Sequence, residues 1–293
     1  MIRPDALATL YVFHPLVKLR GKTERLPILM YHSVSDVEES THPYFRTATA
    51  PAAFAKQMEY LSQNGYSTIS LGQAAGLLQN QEDVTGRPVV ITFDDGYRDF
   101  YTHAFPILER YAFSAAVFLP TAYIGSVPQE FKGTYCLNWN EVRQLQKAGI
   151  EFGSHTVTHP QLKSLSAPQV RNELVESKLE IENQIGCAVS SFAYPYAFPE
   201  ADPVFRAMLR EALTEAGYET GVSTIIGTAG KAGDPLFMPR LPVNSLDDQP
   251  LFQAKLEGGY DWLHGAQYMR KSVKRLLGKA STETESQERR FAK

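Results

Sequence analysis

Two adjacent aspartates, Asp94 and Asp95, follow the apolar run of residues 88–93, and Gly96 comes next. Like charges on neighbouring residues repel each other, so a nearby cation would stabilise the pair at the end of a buried strand. One carboxylate could then bind a metal ion while the other stays free as a base. An Asp-Asp-Gly sequence is more often an ordinary turn, so the pair alone does not define a site.

A histidine pair, His155 and His159, follows the run of residues 150–154. Histidines four residues apart share one face over a helical turn, and this spacing occurs in zinc sites. A single histidine would more often be structural, but two at this spacing in a chain with seven histidines favour metal ligands. With Asp95 they predict a two-histidine, one-carboxylate site, which leaves positions open for water and substrate.

A third polar strand end is the segment SFAYPYA, which contains Tyr194, Pro195 and Tyr196. On its own it is a weak signal, because an aromatic strand end with a proline turn is common.

Short apolar runs that alternate with helical patterns must position these residues. Many of the runs are continuously apolar, as expected of strands covered on both faces. Alternation at this length predicts a single α/β domain, most simply a distorted barrel, with function at the carboxyl ends of the strands. The runs are residues 27–32, 66–70, 88–93, 114–119, 150–154, 190–194, 218–224 and 237–243.

Helix signals lie between the runs. Phe54, Met58 and Leu61 recur at helical spacing, and Asn138 with Glu141 has the spacing of a capping box. We expect one domain over residues 25–268, preceded by an N-terminal segment, residues 1–24, and followed by a basic, then polar and disordered tail, residues 269–293.

The composition excludes some classes of protein. With 43% hydrophobic and 21% charged residues the chain is not mostly disordered, and a net charge of −3 argues against a nucleic-acid binder that depends on phosphate contacts. Cys136 and Cys187 are too few for a disulfide framework or a cysteine-rich zinc module. We expect two free, buried thiols in a reducing compartment, with a single bridge as the alternative.

The N-terminal apolar stretch, residues 6–17, is too short to span a membrane and makes a poor signal peptide. We therefore expect a soluble, cytoplasmic protein whose first segment is a helix packed on the domain. The alternative is a surface anchor with Lys18, Arg20 and Lys22 near lipid head groups, which would make the protein peripheral at the inner face of the membrane.

Three motifs, ITFDDGY, GSHTVTHP and FAYPYA, resemble the first three motifs of the polysaccharide deacetylase family, also called the NodB homology domain or carbohydrate esterase family four. The resemblance extends through LPILMYHSV, LNWNEVRQLQKAGIEFGSH and LPVNSLDDQPLF, over roughly residues 27–265. It implies a distorted (β/α)7-type barrel and metal-dependent hydrolysis of an acyl group on a sugar.

The same resemblance implies roles for individual residues. Asp94 resembles the general base, and Asp95, His155 and His159 resemble the metal ligands. Tyr194, Pro195 and Tyr196 resemble the wall of the substrate groove, with the Tyr196 N–H as a candidate oxyanion donor.

Two departures from the family pattern concern charged residues. Ala193 stands where the third motif commonly has an arginine, and Arg240, at the end of a later predicted strand, either supplies that charge and contacts the site or is a surface or structural arginine. The usual late general-acid histidine is also missing, and we interpret His264 as structural or exposed. His32, at the end of the first predicted strand, is the better acid, because members with an early YHSV segment resemble circular permutants.

The predicted function is hydrolysis of an N-acetyl or other acyl group on a sugar of a polysaccharide or glycan precursor. The alternatives are a deformylase or other C–N hydrolase on a small or lipid-linked substrate, and a non-catalytic carbohydrate-binding protein. We expect one divalent metal ion, first of all zinc, with iron, cobalt and nickel as alternatives.

Overall fold

Seven parallel strands close into a barrel in the computed structural model, which describes residues 3–20, 25–37, 46–79, 86–231, 233–266 and 268–269. Neighbouring strands pair in chain order, and β7 pairs with β1 to close the ring. This confirms the predicted (β/α)7-type barrel. The barrel strands are β1 (Ile28–Tyr31), β2 (Arg87–Phe93), β3 (Ala116–Leu119), β4 (Glu151–Ser154), β5 (Ser191–Ala193), β6 (Thr220–Ile226) and β7 (Met238–Pro242).

All eight predicted strands form, but one of them lies outside the ring. Tyr66–Thr68 pairs in parallel with β2, with Tyr66 opposite Arg87. Two further strand pairs lie near the carboxyl ends of the barrel strands. They are the pair Ser33–Val34 with Ala48–Thr49, and the hairpin Glu130–Phe131 with Thr134–Tyr135.

Helices cover the outside of the barrel, and two of them match the helix signals of the sequence. Phe54, Met58 and Leu61 are buried on one face of the first long helix. The side chain of Asn138 accepts a hydrogen bond from the Glu141 N–H, and the Glu141 carboxylate accepts one from the Asn138 N–H, as the capping box predicts. These helices span Pro51–Gln63, Leu71–Gln79, Phe105–Arg110, Trp139–Lys147, Ala167–Ile185, Pro203–Glu215 and Gln249–Leu256.

The N-terminal segment is helical over residues 4–19, with a wide π turn at Thr9–Phe13. Its inner face packs on the domain, because the Phe13 ring stacks on Trp262 at 4.7 Å and His14 Nε2 lies 2.7 Å from the Glu257 carboxylate. The predicted packed helix is therefore confirmed. Lys22 and the tail beyond Met269 lie outside the described residues, and the division of the chain into three segments stays a prediction.

A buried charged cluster joins this helix to the end of the barrel; we call it the Lys255 cluster, and its members are Arg3, Asp5, Asp247, Lys255 and Tyr260. Lys255 Nζ donates to Asp247 Oδ2 and to the carbonyl of Pro242, both at 2.6 Å. Arg3 donates to Asp247 at 2.9 Å and to Asp5 at 2.7 Å, and the Tyr260 hydroxyl donates to Asp5 at 2.7 Å. Each charged side chain of the cluster thus has an oppositely charged partner.

Both cysteines are free thiols, but only one is buried as predicted. Cys136 is buried, whereas Cys187 is exposed because it follows Gly186, the residue at which the long helix Ala167–Ile185 ends. In the part of the chain that the structure describes, no helix combines the length and apolar character needed to cross a bilayer.

Candidate active site

The two aspartates after β2 point to different partners because the backbone turns between them. Asp95 and Gly96 both adopt the left-handed conformation, with φ of 68° and 58°. A Cβ on Gly96 would lie 2.8 Å from the Leu119 side chain, so the turn requires a glycine. The turn brings Asp94 to an arginine and Asp95 to the histidines, and both carboxylates are buried.

Arg240 on β7 holds the Asp94 carboxylate in a two-point contact. Its Nη1 and Nη2 donate to the two carboxylate oxygens, each at 2.7 Å, and its Nε donates to the Ser223 carbonyl at 3.0 Å. The guanidinium is fully buried. The surface interpretation of Arg240 is therefore wrong, and so is a direct substrate contact, because this side chain reaches the site only through Asp94.

The pKa of Asp94 results from opposing influences. Burial raises it, because a carboxylate is poorly solvated inside the barrel, but the charge of Arg240 and the nearby His155 and His32 lower it more. The net pKa is below the ordinary value of an aspartate. Asp94 is consequently ionised at neutral pH.

His155 and His159 meet at Asp95, but not through the helical turn that their spacing suggested. Residues 155–159 form a loop in which Thr156 and His159 have positive φ angles of 69° and 54°. The carboxylate of Glu173 accepts hydrogen bonds from the Val157 and Thr158 N–H groups and so holds the loop. The prediction that the two histidines lie close together is confirmed. The prediction that a helical turn brings them together is wrong.

The two imidazoles direct nitrogen atoms at one carboxylate oxygen. Nε2 of His155 lies 3.6 Å, and Nε2 of His159 3.2 Å, from Asp95 Oδ1. His155 Nδ1 lies 2.8 Å from the Ala193 carbonyl, so Nδ1 carries the proton and Nε2 presents a lone pair. Burial lowers the pKa of His155 to about 4, which keeps its ring neutral at pH 7.

These three residues fit a metal ion. Their ligand atoms lie within 4.8 Å of one another, and all three side chains are buried. Among the described residues, Asp95 Oδ1 and His159 Nδ1 are two of only four buried polar side-chain atoms without a hydrogen-bond partner. Two imidazoles and one carboxylate are a donor set that suits a divalent transition metal and leaves positions for other ligands.

A hairpin that the sequence analysis missed lies against this triad. Lys132, at its turn, places Nζ 3.3 Å from Asp95 Oδ2 and over the rings of Phe131 and Tyr196, at 4.5 and 5.3 Å. Lys132 and Gly133 both have positive φ, as in the tight turns that join hairpin strands. The available signal was Lys-Gly between Phe131 and Thr134, which is weaker than Asn-Gly or Asp-Gly.

The aromatic segment after β5 contributes one residue to the mouth of the barrel. Tyr196 is half exposed, with its ring 4.6 Å from that of His159, and no hydrogen bond among the described residues uses its N–H. Tyr194 packs on Phe198 at 5.0 Å and is only 2% exposed, and Pro195 is buried as well. The prediction that Tyr194 and Pro195 line the groove is therefore wrong for their side chains.

His32 lies at the same mouth, directly after β1. Its Nε2 is 3.9 Å from Asp94 Oδ2, and its side chain is partly open to solvent. The next two residues are held by Asp99, which accepts hydrogen bonds from Ser33 Oγ at 2.5 Å and from the Val34 N–H at 3.1 Å. No pattern in the sequence pointed to Asp99.

His264 is not part of this group. Its Nε2 lies 2.5 Å from Glu200, and its side chain is 46% exposed. This agrees with the interpretation of His264 as a structural or exposed residue.

Comparison with known proteins identifies one family. Residues 81–221 match the family model for polysaccharide deacetylase. The chain is 31% identical over 174 residues to the polysaccharide deacetylase homologue YxkH of Bacillus subtilis, an alignment that covers 59% of this chain and 57% of YxkH. It is 29% identical over 138 residues to the poly-β-1,6-N-acetyl-D-glucosamine N-deacetylase of Escherichia coli, covering 44% of this chain and 20% of that protein.

Among solved structures, the deacetylase PplD of Streptococcus pyogenes, determined in complex with acetate, superposes with a TM-score of 0.69 and 25% identity. This match covers 79% of the present chain and 98% of PplD. The chain thus spans less than two thirds of the two curated relatives but nearly all of this structural neighbour.

Proposed function

Because the chain belongs to the polysaccharide deacetylase family, we propose that it is a metal-dependent hydrolase that removes the N-acetyl group from a sugar of a polysaccharide or glycan precursor. One observation carries the proposal. An ionised base, Asp94, held at two points by Arg240, lies beside the buried triad Asp95, His155 and His159, in which Asp95 Oδ1 has no hydrogen-bond partner. Amide hydrolysis needs this combination of a base and an electrophilic centre.

Asp95, His155 and His159 would hold the ion. A divalent metal there would polarise the acyl carbonyl and lower the pKa of water. Zinc is the metal we propose first, and iron, cobalt and nickel accept the same ligands.

The protein's own groups then perform three tasks. Asp94 accepts a proton from the attacking water, because Arg240 keeps it ionised and oriented. The Tyr196 N–H donates to the oxyanion, an interaction worth roughly 3–4 kcal/mol for a well-placed donor. His32, on the Asp94 side of the mouth, donates a proton to the leaving nitrogen.

The relatives guide the choice of substrate. The matched Escherichia coli protein deacetylates poly-β-1,6-N-acetyl-D-glucosamine, so oligomers of that sugar come first among the substrates to be tested. The cytoplasmic location and the permuted order of the motifs stay predictions.

Acetate release from a panel of N-acetylated sugars tests the function. Metal-loaded protein should release acetate, chelator should abolish the release, and zinc should restore it. His155→Ala and His159→Ala should each lose most of the metal. No release by metal-loaded protein from any substrate, with retained binding of oligosaccharide, would instead indicate a carbohydrate-binding protein. Unchanged metal stoichiometry in both variants would exclude the site.

The acid is tested separately. His32→Ala should lower turnover of an amide substrate by roughly 10²–10⁴-fold with metal content intact, whereas His264→Ala should have little effect. The loss should shrink for an activated aryl acetate, whose leaving group needs no proton. Equal losses on both substrates would return His32 to a structural role.

A further inference from the structure

The outer face of the N-terminal helix is apolar along its whole length. Tyr11 is 76% and Leu19 84% exposed, and the other exposed residues before Lys18 are also apolar. We call this surface the outer apolar face; its members are Pro4, Leu7, Tyr11, Val12, Pro15, Leu16 and Leu19. Contiguous exposed apolar surface of this kind marks an interaction site more often than chance exposure.

The π turn keeps these residues aligned. A π turn contains more residues than an α turn, so side chains four to five positions apart fall on the same side. Leu7, Tyr11 with Val12, and Leu16 follow that spacing across Thr9–Phe13. The opposite side is fixed to the domain through Phe13 and His14, so the helix can present its outer side without leaving the body.

The charge at the end of the helix is positive. Lys18 and Arg20 are exposed there, and none of the exposed residues on the described part of this helix is acidic. Lys18 lies 3.7 Å from the Glu257 carboxylate, whereas Arg20 forms no ion pair with any residue that the structure describes. Beyond the exposed Tyr268 and Met269, residues 270–279 of the sequence carry five basic side chains and no acid.

We propose that the outer apolar face binds the surface of a bilayer that contains anionic lipids. An apolar helix face next to basic residues is the arrangement found in helices that lie in the interface plane, with Tyr at the level of the head groups. Charge complementarity favours this partner over a second copy of the chain, because a second copy would bring the same basic end and no acidic residue on its outer face.

Co-sedimentation of the full-length protein with vesicles tests the proposal. Binding should be strong to vesicles of phosphatidylglycerol with phosphatidylcholine and weak to phosphatidylcholine alone. Tyr11→Glu should weaken binding about tenfold or more, since it removes an apolar contact and adds charge repulsion. Val204→Glu is the matched control, because Val204 is 77% exposed on another helix, and it should leave binding unchanged.

A second variant examines the charge. Lys18→Gln with Arg20→Gln should weaken binding to the anionic vesicles, by about fivefold per charge, and should leave the weak binding to neutral vesicles unchanged. All variants should retain wild-type acetate release from a soluble substrate, which separates this proposal from the proposed activity.

Three results would overturn the proposal. They are no vesicle binding by the wild type, equal binding by Tyr11→Glu and Val204→Glu, and concentration-dependent dimerisation that Tyr11→Glu abolishes. The last result would show that a second copy covers this face.

Discussion

The barrel mouth and the Lys255 cluster are both buried groups of charged side chains, yet they are built differently. In the Lys255 cluster, Asp247 contacts two cations, and Asp5 contacts Arg3 and a tyrosine hydroxyl. At the mouth, Asp95 Oδ1 and His159 Nδ1 are buried without a hydrogen-bond partner among the described residues. Within the described residues, no buried side-chain atom of the Lys255 cluster lacks a hydrogen-bond partner.

Backbone conformation separates the two groups in the same way. Five of the six non-glycine residues with positive φ in the described chain lie at the mouth: Asp95, Lys132, Thr156, His159 and Tyr196. None lies in the Lys255 cluster. Such conformations cost roughly 1–3 kcal/mol each and persist where the surrounding structure enforces them, commonly at functional sites. The Lys255 cluster is thus completely paired, whereas the mouth combines unpartnered polar atoms with strained backbone, as the proposed active site requires.

The largest expected effect comes from Asp94→Asn at the mouth. Turnover should fall about 10³–10⁴-fold, because asparagine keeps the shape and an acceptor for Arg240 but cannot take a proton. Metal content should stay near that of the wild type, and chemical denaturation should show a loss of up to about 3–5 kcal/mol, because the buried Arg240 cation loses its negative partner. Near-native kcat on a verified substrate would contradict the assignment of the base.

Lys255→Met should give the complementary result. Removing one partner of a buried ion pair costs about 3–5 kcal/mol of unfolding free energy, because Asp247 loses a buried cation. Metal content and kcat of the folded fraction should not change. Lys163→Met is the control, since Lys163 forms an exposed ion pair with Asp202, and it should cost less than about 1 kcal/mol in the same urea titration. Equal losses for the two variants would remove the distinction between the clusters.

A subtler change at the mouth is Arg240→Lys. Lysine keeps the charge but not the two-point contact, and losing one charge-assisted hydrogen bond costs about 1.5–3 kcal/mol, or roughly 10–10²-fold in kcat/KM. The pKa of Asp94 should rise, so the acidic limb of the pH–rate profile should move to higher pH. Arg171→Lys, at an exposed ion pair, should move neither quantity. An unmoved acidic limb in Arg240→Lys would show that Arg240 does not control the pKa of Asp94.

The smallest effect concerns pH and the Lys255 cluster. Burial raises the pKa of Asp5, but Arg3 and Tyr260 outweigh it, so the pKa in the folded protein is below the ordinary 3.8. A lowered pKa means that the carboxylate stabilises the fold above about pH 4 and that this contribution is lost as the pH falls. Urea midpoints at neutral and acidic pH should therefore differ less in Asp5→Asn than in the wild type. Asp36→Asn, at an exposed position, should behave as the wild type does.

The sequence predicted the barrel because its signals are local. Apolar runs such as residues 88–93 and caps such as Asn138 act within a few residues, and the folded strands and helices follow them. The proximity of Asp95, His155 and His159 was predictable for a related reason, since they lie shortly after strands whose carboxyl ends meet at one mouth.

What the sequence did not show depends on contacts between distant segments. The support of the His32 segment by Asp99 and the approach of Lys132 to Asp95 arise only when loops from different strands meet. The burial of Tyr194 was missed because its aromatic neighbours, Phe198 and Phe205, come from the following loop and helix. The histidine spacing suggested a helix, and only the left-handed residues in the loop show otherwise.

The arginine that contacts Asp94 comes from a distant strand, β7, and this affects how sequence motifs should be used to recognise polysaccharide deacetylases. A closed barrel lets several strands reach the same interior point, and here β7 delivers a guanidinium to the position beside Asp94, 146 residues along the chain from it. A linear motif that requires arginine at the place of Ala193 would not detect the guanidinium that contacts Asp94 in the folded chain. Screens for degenerate members should therefore test which side chain reaches the aspartate in three dimensions, and should expect such relocated arginines among the sequences they would otherwise discard.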